Sequence, residues 1–147
     1  MMKDVFEYLQ HYKVIMFYLA LGDEVSCDDM IWQLLDQGKI VLVPYGEWDA
    51  YEAVQLNSFD ELSIGRRWIR TVQHKRIRSD AIDCVVCPGR FFTRDGCRKG
   101  RGWWWYDRFL AKHPESYKIW ICFSSQIVDH LEQRSWDINM DKIIIVS

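Results

Sequence analysis

The chain has 147 residues, of which 49% are hydrophobic and 27% charged, and 19 basic residues against 21 acidic ones give a formal net charge of −2. A chain of this length is expected to form one domain, residues 1–147, and to bury about 70% of the surface that its unfolded form exposes. This balance excludes a disordered chain or a general nucleic-acid coat, and no apolar run reaches the roughly 20 residues of a membrane span.

The first half of the chain predicts a strand, a helix and a second strand. Residues 4–12 are expected to form a short helix, and Val14–Ala20 reads VIMFYLA, the continuous apolar run of a buried strand. Ser26 and Asp29 resemble a capping box before the next helix, and Ile40–Val43 forms the next strand. The apolar face of that helix is formed by Met30, Ile31, Leu34 and Leu35. This βαβ unit predicts two parallel strands with a right-handed crossover.

Two strands and a basic loop are predicted next. Tyr51–Leu56 alternates as a half-buried strand, and Ser58–Leu62 is a capped turn. Gly65–Arg78 reads GRRWIRTVQHKRIR, which has no periodic apolar face and therefore predicts a long loop with an embedded extended piece. Ile82–Cys87 is another buried strand.

The last third of the chain continues the alternation. Arg94–Gly96 is predicted to turn, Trp103–His113 to be helical, Tyr117–Phe123 to be a buried strand, Ser124–Leu131 to be a capped helix, and Lys142–Val146 to be the last strand. Strands that alternate with helices in this way predict an α/β fold, a three-layer α/β/α sandwich with a mostly parallel sheet.

The amino terminus and the cysteines indicate the compartment. MMKDVFEYLQ carries acids where a secretory signal would be apolar, so we expect a cytoplasmic protein, and we expect it to be a monomer. Five cysteines form an odd set without the density of a disulfide scaffold, and we expect them to be reduced. Cys84 and Cys87 form a CxxC within one strand, where positions three apart point to opposite faces, so this pair does not predict a zinc site.

The stretch Arg98–Leu110, RKGRGWWWYDRFL, has the chemistry of a phosphate cradle. Its glycines, Gly100 and Gly102, allow the backbone to approach a bulky anion, and the amides that open a following helix point toward it. Arginine forks hold phosphate oxygens in pairs. The spacing alone is a weak signal, because a glycine-rich turn under a core aromatic cluster would read the same way.

Polar residues follow several predicted strands at the sheet edge where ligands bind in open α/β folds. We expect Glu24, Arg98, Asp107 and Gln126 to converge on one crevice. For each of these residues taken singly, a surface or capping role is an equally good reading.

The order of four blocks along the chain resembles the 5-formyltetrahydrofolate cyclo-ligase family, also called methenyltetrahydrofolate synthetases. The blocks are DEVSCDDMIWQLLDQGKIVLVP, CVVCPGRFFTRDGCRKGRGWWWYDR, YKIWICFSSQIV and SWDINMDKIII. The resemblance implies the NagB/RpiA/CoA-transferase-like type of α/β sandwich. It also implies an enzyme that uses ATP and Mg²⁺ to convert 5-formyltetrahydrofolate to 5,10-methenyltetrahydrofolate, with release of ADP and phosphate.

The resemblance also implies roles for individual residues, because much of the family pattern RLGRGKGYYDR is kept. Nucleotide-binding roles fall on Arg98, Gly100, Arg101, Gly102 and Asp107. Catalytic roles fall on Tyr106 and Arg98, and the magnesium-binding role falls on Asp107. Substrate-binding roles fall on Glu24, Trp68, Tyr106 and Gln126.

Departures from the family pattern leave a second interpretation open. Trp103 and Trp104 replace the Lys and Gly of GKG, Thr93 replaces an acid, and the family's basic leading helix has no counterpart before Asp4. A shortened, catalytically weak or inactive relative that works as a binding protein for folate or a nucleotide would show the same departures.

The basic loop Gly65–Arg78 permits further interpretations. Its cations and Trp68 could form a platform for single-stranded nucleic acid, but a solvated loop explains the same pattern and we do not expect nucleic acid as a partner. The resemblance suggests instead that the loop meets the anionic tail of polyglutamylated folates.

Overall fold

The computed structural model describes residues 2–22, 24–45, 52–65, 69–72, 81–99, 105–132 and 138–146. Within them the helices are α1 (Met2–Leu9), α2 (Asp28–Asp36) and α3 (Trp105–Ala111). The strands are β1 (Val14–Phe17), β2 (Ile40–Pro44), β3 (Ala53–Leu56), β4 (Leu62–Ile64), β5 (Arg70–Val72), β6 (Cys84–Cys87), β7 (Phe91–Phe92), β8 (Arg98–Lys99), β9 (Tyr117–Phe123) and β10 (Lys142–Val146). Short 3₁₀ turns lie at Phe59–Glu61 and Ser124–Gln126.

Six strands form the central sheet in the order β10-β9-β6-β1-β2-β3. Every neighbouring pair is parallel except β2 and β3, which are antiparallel at one edge. The strands that are buried from end to end, such as VIMF and CVVC, are the continuous apolar runs that a sheet covered on both faces requires. The predicted βαβ unit and the mostly parallel sheet are confirmed.

Helices cover both faces because the chain winds outward from the middle of the sheet in two directions. From β1 the chain passes through α2 to β2 on one side, and from β6 it passes through α3 to β9 on the other. Since such crossovers are right-handed, two that run in opposite directions place their helices on opposite faces. The three-layer sandwich is therefore confirmed, and the direction of winding changes between β1 and β6.

Two small antiparallel hairpins extend beyond the sheet. The β4–β5 hairpin is tied to the carboxyl end of β2, since Thr71 Oγ1 donates to the Pro44 carbonyl at 3.0 Å. Arg70 binds Asp28 at the start of α2 with both terminal nitrogens, at 2.9 and 3.0 Å. The β7–β8 hairpin has two residues in each strand, and its second strand carries Arg98.

One predicted helix is wrong. Residues Ser124–Leu131 do not form a capped helix but a single 3₁₀ turn, Ser124–Gln126. Ile127 is then extended, with φ −82° and ψ 129°, and bridges Phe92, while the Val128 amide donates to the Phe92 carbonyl at 2.8 Å. Pairing with the β7 strand therefore replaces the helical hydrogen bonds that the sequence pattern predicts.

The predicted capping box at Ser26 and Asp29 is also wrong. The N-cap of α2 is Cys27, which provides no side-chain cap, and Ser26 Oγ accepts a long 3.4 Å bond from the Asp28 amide. A capping box does form at Ser58, where Glu61 Oε1 accepts from the Ser58 amide at 3.0 Å, as the capped turn predicts.

Buried side chains fill both sides of the sheet. The largest of those that are fully buried are Trp120, Phe17, Phe92 and Phe109. All five cysteines lie within the described residues and none forms a disulfide, as expected. No described helix combines the length and apolar character needed to cross a bilayer.

Candidate active site

The candidate site lies at the carboxyl ends of β1 and β6, where the winding direction changes. A crevice opens at such a point because the connections that leave the two strands move apart, and ligands of open α/β folds bind there. The segment after β1 carries Glu24, and the segment after β6 begins with Pro88 and Gly89. These two segments position the residues described below.

Tyr106 lies over the end of β6 with its hydroxyl group buried. The residue is 9% exposed, and no described residue accepts or donates a hydrogen bond at its oxygen. Burial raises the pKa of Tyr106 well above its ordinary value, Cys87 and Glu24 raise it further, and Arg98 lowers it. The phenol of Tyr106 is therefore neutral and a hydrogen-bond donor at physiological pH.

Arg98 extends from β8 into the same space. Its side chain is 5% exposed, and its Cζ lies 5.8 Å from the centroid of the Tyr106 ring. Nη2 lies 4.0 Å from Asp107 Oδ1, whereas the buried Nε has no hydrogen-bond partner in the described part of the chain. A buried guanidinium nitrogen without a partner is the group that an anionic ligand oxygen would complete.

Gly89 is required for this arrangement. A Cβ atom at this position would lie 2.8 Å from Phe92 Cζ and 3.1 Å from Arg98 Cγ. Any side chain there would therefore displace the aliphatic part of Arg98 or the ring beneath it, and the guanidinium would lose its position.

Glu24 is held in a closed loop after β1. Its Oε1 accepts from the Leu21 amide at 2.8 Å, and the Tyr18 hydroxyl donates to the Val25 carbonyl at 2.6 Å. Burial raises the pKa of Tyr18, so this phenol also remains a donor, and burial raises the pKa of the neighbouring Cys27 thiol to about 12. Glu24 is thus held in a loop fixed at both ends, and its contact with substrate stays a prediction.

Gln126 braces the site from the side of β9. Its Oε1 accepts from the Phe123 amide at 2.8 Å, and its Nε2 donates to the carbonyls of Gly89 at 3.0 Å and Arg90 at 3.3 Å. Because both amide hydrogens are used by backbone carbonyls, Gln126 fixes the segment after β6. Its contact with substrate stays a prediction.

Asp107 is the carboxylate that could hold a metal ion. Its side chain is 17% exposed and faces Arg98 across 4.0 Å. Mg²⁺ is usually held by one or two carboxylates together with substrate phosphates, so a single aspartate beside the candidate phosphate site fits that ion. No group of three His, Cys, Asp or Glu side chains with metal-binding geometry occurs in the described ranges.

Thr93 occupies the position at which the resemblance leads one to expect an acid. The residue is 4% exposed, its hydroxyl binds the Asp95 carboxylate, and its Oγ1 accepts from the Cys97 amide at 3.0 Å. These bonds close the turn of the β7–β8 hairpin, so Thr93 supports the strand that carries Arg98.

Several of the predicted site residues lie close together in the structure, and others fall outside the described residues. Arg98 lies close to both Tyr106 and Asp107, Glu24 contributes to the raised pKa of Tyr106, and Gln126 donates to the carbonyl of Gly89. Outside the described residues lie Trp68, Gly100, Arg101, Gly102, Trp103 and Trp104.

Sequence reasoning missed three residues that shape the site. Tyr18 lies inside the apolar run of the first strand, and Cys27 looks like any reduced thiol. Neither is therefore indicated by the sequence as a polar residue of the site. In the sequence, Gly89 follows Pro88 and looks like part of an ordinary break after the strand. Its position directly after a buried strand, at a sheet edge that binds ligands, is the signal that could have identified it.

Comparison with known proteins gives one family. The 5-formyltetrahydrofolate cyclo-ligase family profile matches residues 3–146. The chain is 27% identical over 150 residues to the 5-formyltetrahydrofolate cyclo-ligase of Mus musculus, which covers 92% of this chain and 74% of the mouse protein. It is 25% identical over 154 residues to a probable 5-formyltetrahydrofolate cyclo-ligase of Caenorhabditis elegans, covering 94% and 75%.

Two solved structures have the same fold. The NMR structure of Aquifex aeolicus 5,10-methenyltetrahydrofolate synthetase matches with a TM-score of 0.78 at 24% identity, covering 97% of this chain and 76% of that one. The 5,10-methenyltetrahydrofolate synthetase from Mycoplasma pneumoniae matches with a TM-score of 0.68 at 22% identity, covering 97% and 80%. With a family match over nearly every residue and the fold in agreement, this chain belongs to the 5-formyltetrahydrofolate cyclo-ligase family.

Proposed function

We propose that this chain converts 5-formyltetrahydrofolate to 5,10-methenyltetrahydrofolate with cleavage of ATP to ADP and phosphate. Its membership of the cyclo-ligase family supports the reaction. The observation that carries the proposal is the buried Nε of Arg98, which has no hydrogen-bond partner among the described residues and belongs to a guanidinium close to the Tyr106 ring. Bound ATP would supply a phosphoryl group that turns the formyl oxygen into a leaving group.

The chain contributes positioning and charge neutralisation, as enzymes of phosphoryl transfer generally do. Arg98 would donate to an anionic oxygen from a site that excludes water, where a charge-assisted bond is strong. Asp107 would hold Mg²⁺ next to the same oxygens. Gly100, Arg101 and Gly102 complete the proposed phosphate cradle.

Tyr106 and Glu24 would act on the folate. Since the Tyr106 phenol stays protonated, it serves as a hydrogen-bond donor to an oxygen or nitrogen rather than as a base. The Glu24 carboxylate is an acceptor for the N–H groups of the pterin, and Trp68 is proposed to stack on the same ring.

The test of turnover uses purified protein, 5-formyltetrahydrofolate and Mg-ATP. We expect the near-ultraviolet absorbance of the methenyl product to rise with time, and to stay flat without protein or without ATP. A flat trace with all components present would remove the proposed reaction.

A second function, binding of a reduced folate without turnover, is favoured by one observation: Trp103 and Trp104 stand where the family has Lys and Gly. Two indoles in a phosphate loop would occupy volume that a triphosphate needs. Calorimetric titrations separate the two functions, since uptake of folate without uptake of ATP supports the second one.

The cellular setting is also a proposal. Five cysteines without a disulfide suit the reducing cytoplasm, and folates there carry anionic polyglutamate tails that the basic loop of residues 65–78 would meet. Equal affinity for long-tailed and short-tailed folates at low salt would argue against that contact. We propose a monomer, which sedimentation of the purified chain would test.

A further inference from the structure

The indole N–H of Trp120 is a buried hydrogen-bond donor without a partner. Trp120 lies in the middle of β9 with 0% of its surface exposed, and its Nε1 makes no hydrogen bond to any described residue. Arg98 Nε and Tyr106 Oη are the other two buried side-chain atoms of this kind in the described ranges. Two of the three therefore belong to the candidate active site, and the third requires an explanation.

The register of the sheet places Trp120 next to the site. Trp120 pairs with Cys87 at the end of β6, so the two side chains point to the same face about one strand spacing of 4.8 Å apart. On the other side of β6, Phe17 pairs with Val86, which puts the following Tyr18 level with Cys87. Tyr18, Cys87 and Trp120 thus form a row across three neighbouring strands.

Tyr106 and Arg98 lie over this row. Arg98 Cζ lies 5.8 Å from the centroid of the Tyr106 ring, and Arg98 lowers the pKa of both Tyr106 and the Cys87 thiol. Tyr18 satisfies its hydroxyl with the Val25 carbonyl at 2.6 Å. At the opposite end of the row Trp120 has no such acceptor.

Phe92 provides a second connection between Trp120 and Arg98. The ring centroids of Phe92 and Trp120 are 4.2 Å apart with an interplanar angle of 50°. The edge of the Phe92 ring and the Cγ of Arg98 both lie against Gly89. Trp120, Phe92 and Arg98 are therefore parts of one contiguous cluster.

Packing alone does not explain a tryptophan at this position. A phenylalanine or leucine would fill apolar space in a central strand without a donor, whereas a buried indole N–H that bonds to nothing opposes folding. A donor kept in this place is explained if a ligand supplies the acceptor.

We propose that the Nε1–H of Trp120 is a third donor, beside Arg98 Nε and Tyr106 Oη, to a phosphate oxygen bound in the crevice. The inference rests on the proposed function, because it names a further residue for the phosphate part of that site. Three donors with no acceptor among them suit an oxygen that only accepts. Trp120 would then bind ligand from the sheet side while Arg98 binds it from the hairpin side.

The experiment follows side-chain N–H groups by ¹H–¹⁵N NMR of the full chain. Inorganic phosphate, Mg-ATP and 5-formyltetrahydrofolate are each added separately. We expect the Trp120 indole proton to move downfield with inorganic phosphate and with Mg-ATP, together with the Arg98 Nε proton, because both gain a charged acceptor. The indole signal of Trp32, which is 51% exposed and stacked on Phe59, is the internal control and should stay in place.

A pair of matched variants gives the second measurement. Trp120→Phe keeps an aromatic ring and removes the N–H, and it should raise the Kd for inorganic phosphate about tenfold or more. Trp32→Phe removes an exposed indole that stacks on Phe59, and it should leave that Kd unchanged. If Trp120→Phe fails to fold, the NMR titration of the unsubstituted chain still decides whether the Trp120 indole N–H binds phosphate.

The outcomes separate the inference from the proposed function. Movement of the Arg98 signal without the Trp120 signal overturns the role of Trp120 and leaves the proposed function intact. Movement of both signals with inorganic phosphate, but of neither with folate or Mg-ATP, supports the donor and counts against the proposed function. Signals that stay in place with all three probes overturn both.

Discussion

The amino ends and the carboxyl ends of the parallel strands, called here the amino edge and the carboxyl edge of the sheet, differ in how their polar groups are paired. At the amino edge, Asp83 Oδ2 accepts from the amides of Lys13 at 3.0 Å and Val14 at 2.9 Å. Asp141 Oδ2 accepts from the Lys118 amide at 2.8 Å. Even the buried ammonium group of Lys118 has an acceptor, the Ser116 carbonyl at 2.8 Å.

At the carboxyl edge, three buried donors in the described residues have no partner: Arg98 Nε, Tyr106 Oη and Trp120 Nε1. The amino edge therefore gains stability from side chains that close the backbone, whereas the carboxyl edge keeps polar groups ready for a ligand at some expense of stability. Substitutions at the two edges should accordingly change different measurements.

The largest effect is expected from Arg98→Met, which keeps the aliphatic stem and removes the guanidinium. Loss of one preorganised donor to a developing negative charge costs about 10²–10³-fold in rate, so kcat/KM for methenyl formation should fall by that factor. The melting temperature should change little, because the buried Nε makes no hydrogen bond within the described structure and the ion pair with Asp107 is long, at 4.0 Å.

Arg90→Met is the matched control. Arg90 lies beside the β7–β8 hairpin, where its amide donates to the Lys99 carbonyl at 2.8 Å, but the residue is exposed to solvent. Activity should be retained in this variant. Equal losses in the two variants would mean that general positive charge, rather than the position of Arg98, attracts the substrate.

Asp83→Ala tests the amino edge. Two backbone amides lose a charged acceptor, and we expect the free energy of unfolding in urea to fall by about 2 kcal/mol while kcat/KM stays the same. Asp36→Ala, which removes an exposed carboxylate from the end of α2, should leave the free energy of unfolding nearly unchanged. A loss of activity with unchanged stability in Asp83→Ala would break the contrast between the edges.

The sequence predicted this contrast in part. The strands predicted from VIMFYLA, IVLV and YKIWICF all form, although the first ends at Phe17 and the second extends to Pro44, and the capped turn at Ser58 forms as well. Each of these is determined by a local pattern of burial or hydrogen bonding. The helix predicted from Ser124 was wrong because a partner distant in sequence, Phe92, pairs with Ile127. Local patterns contain no information about such a partner.

The residues of the site also differ in whether the sequence could predict them. Arg98, Tyr106 and Asp107 were identified from the resemblance to the family motif, and the structure brings them together. Trp120 could not be identified as a donor, because a tryptophan within an apolar strand looks like any core residue. Its unpartnered N–H becomes visible when the neighbouring strands and the burial are known.

Tyr106→Phe should have a smaller effect than Arg98→Met. The variant removes the hydroxyl and retains the ring, so we expect a loss of about tenfold in kcat/KM, the value of one neutral hydrogen bond of about 1.4 kcal/mol. The melting temperature should hold or rise, because a buried hydroxyl without a described partner is removed. A fall of several degrees would show that the hydroxyl stabilises the fold, and would weaken the contrast with the amino edge.

The smallest effect concerns His113, which follows α3 on the amino side of β9. Its ring lies 4.5 Å from that of Phe109, and burial lowers the pKa of His113 below its ordinary value of 6.5 although Glu115 raises it. The unfolded chain therefore takes up this proton more readily than the folded one, so stability is fully present above pH 6.5 and is lost as the pH falls through the folded pKa. His113→Gln should show a smaller fall in melting temperature between pH 7.5 and 5.5 than the unsubstituted chain. The other histidines are present in both proteins, so identical falls would exclude His113 as a source of the pH dependence.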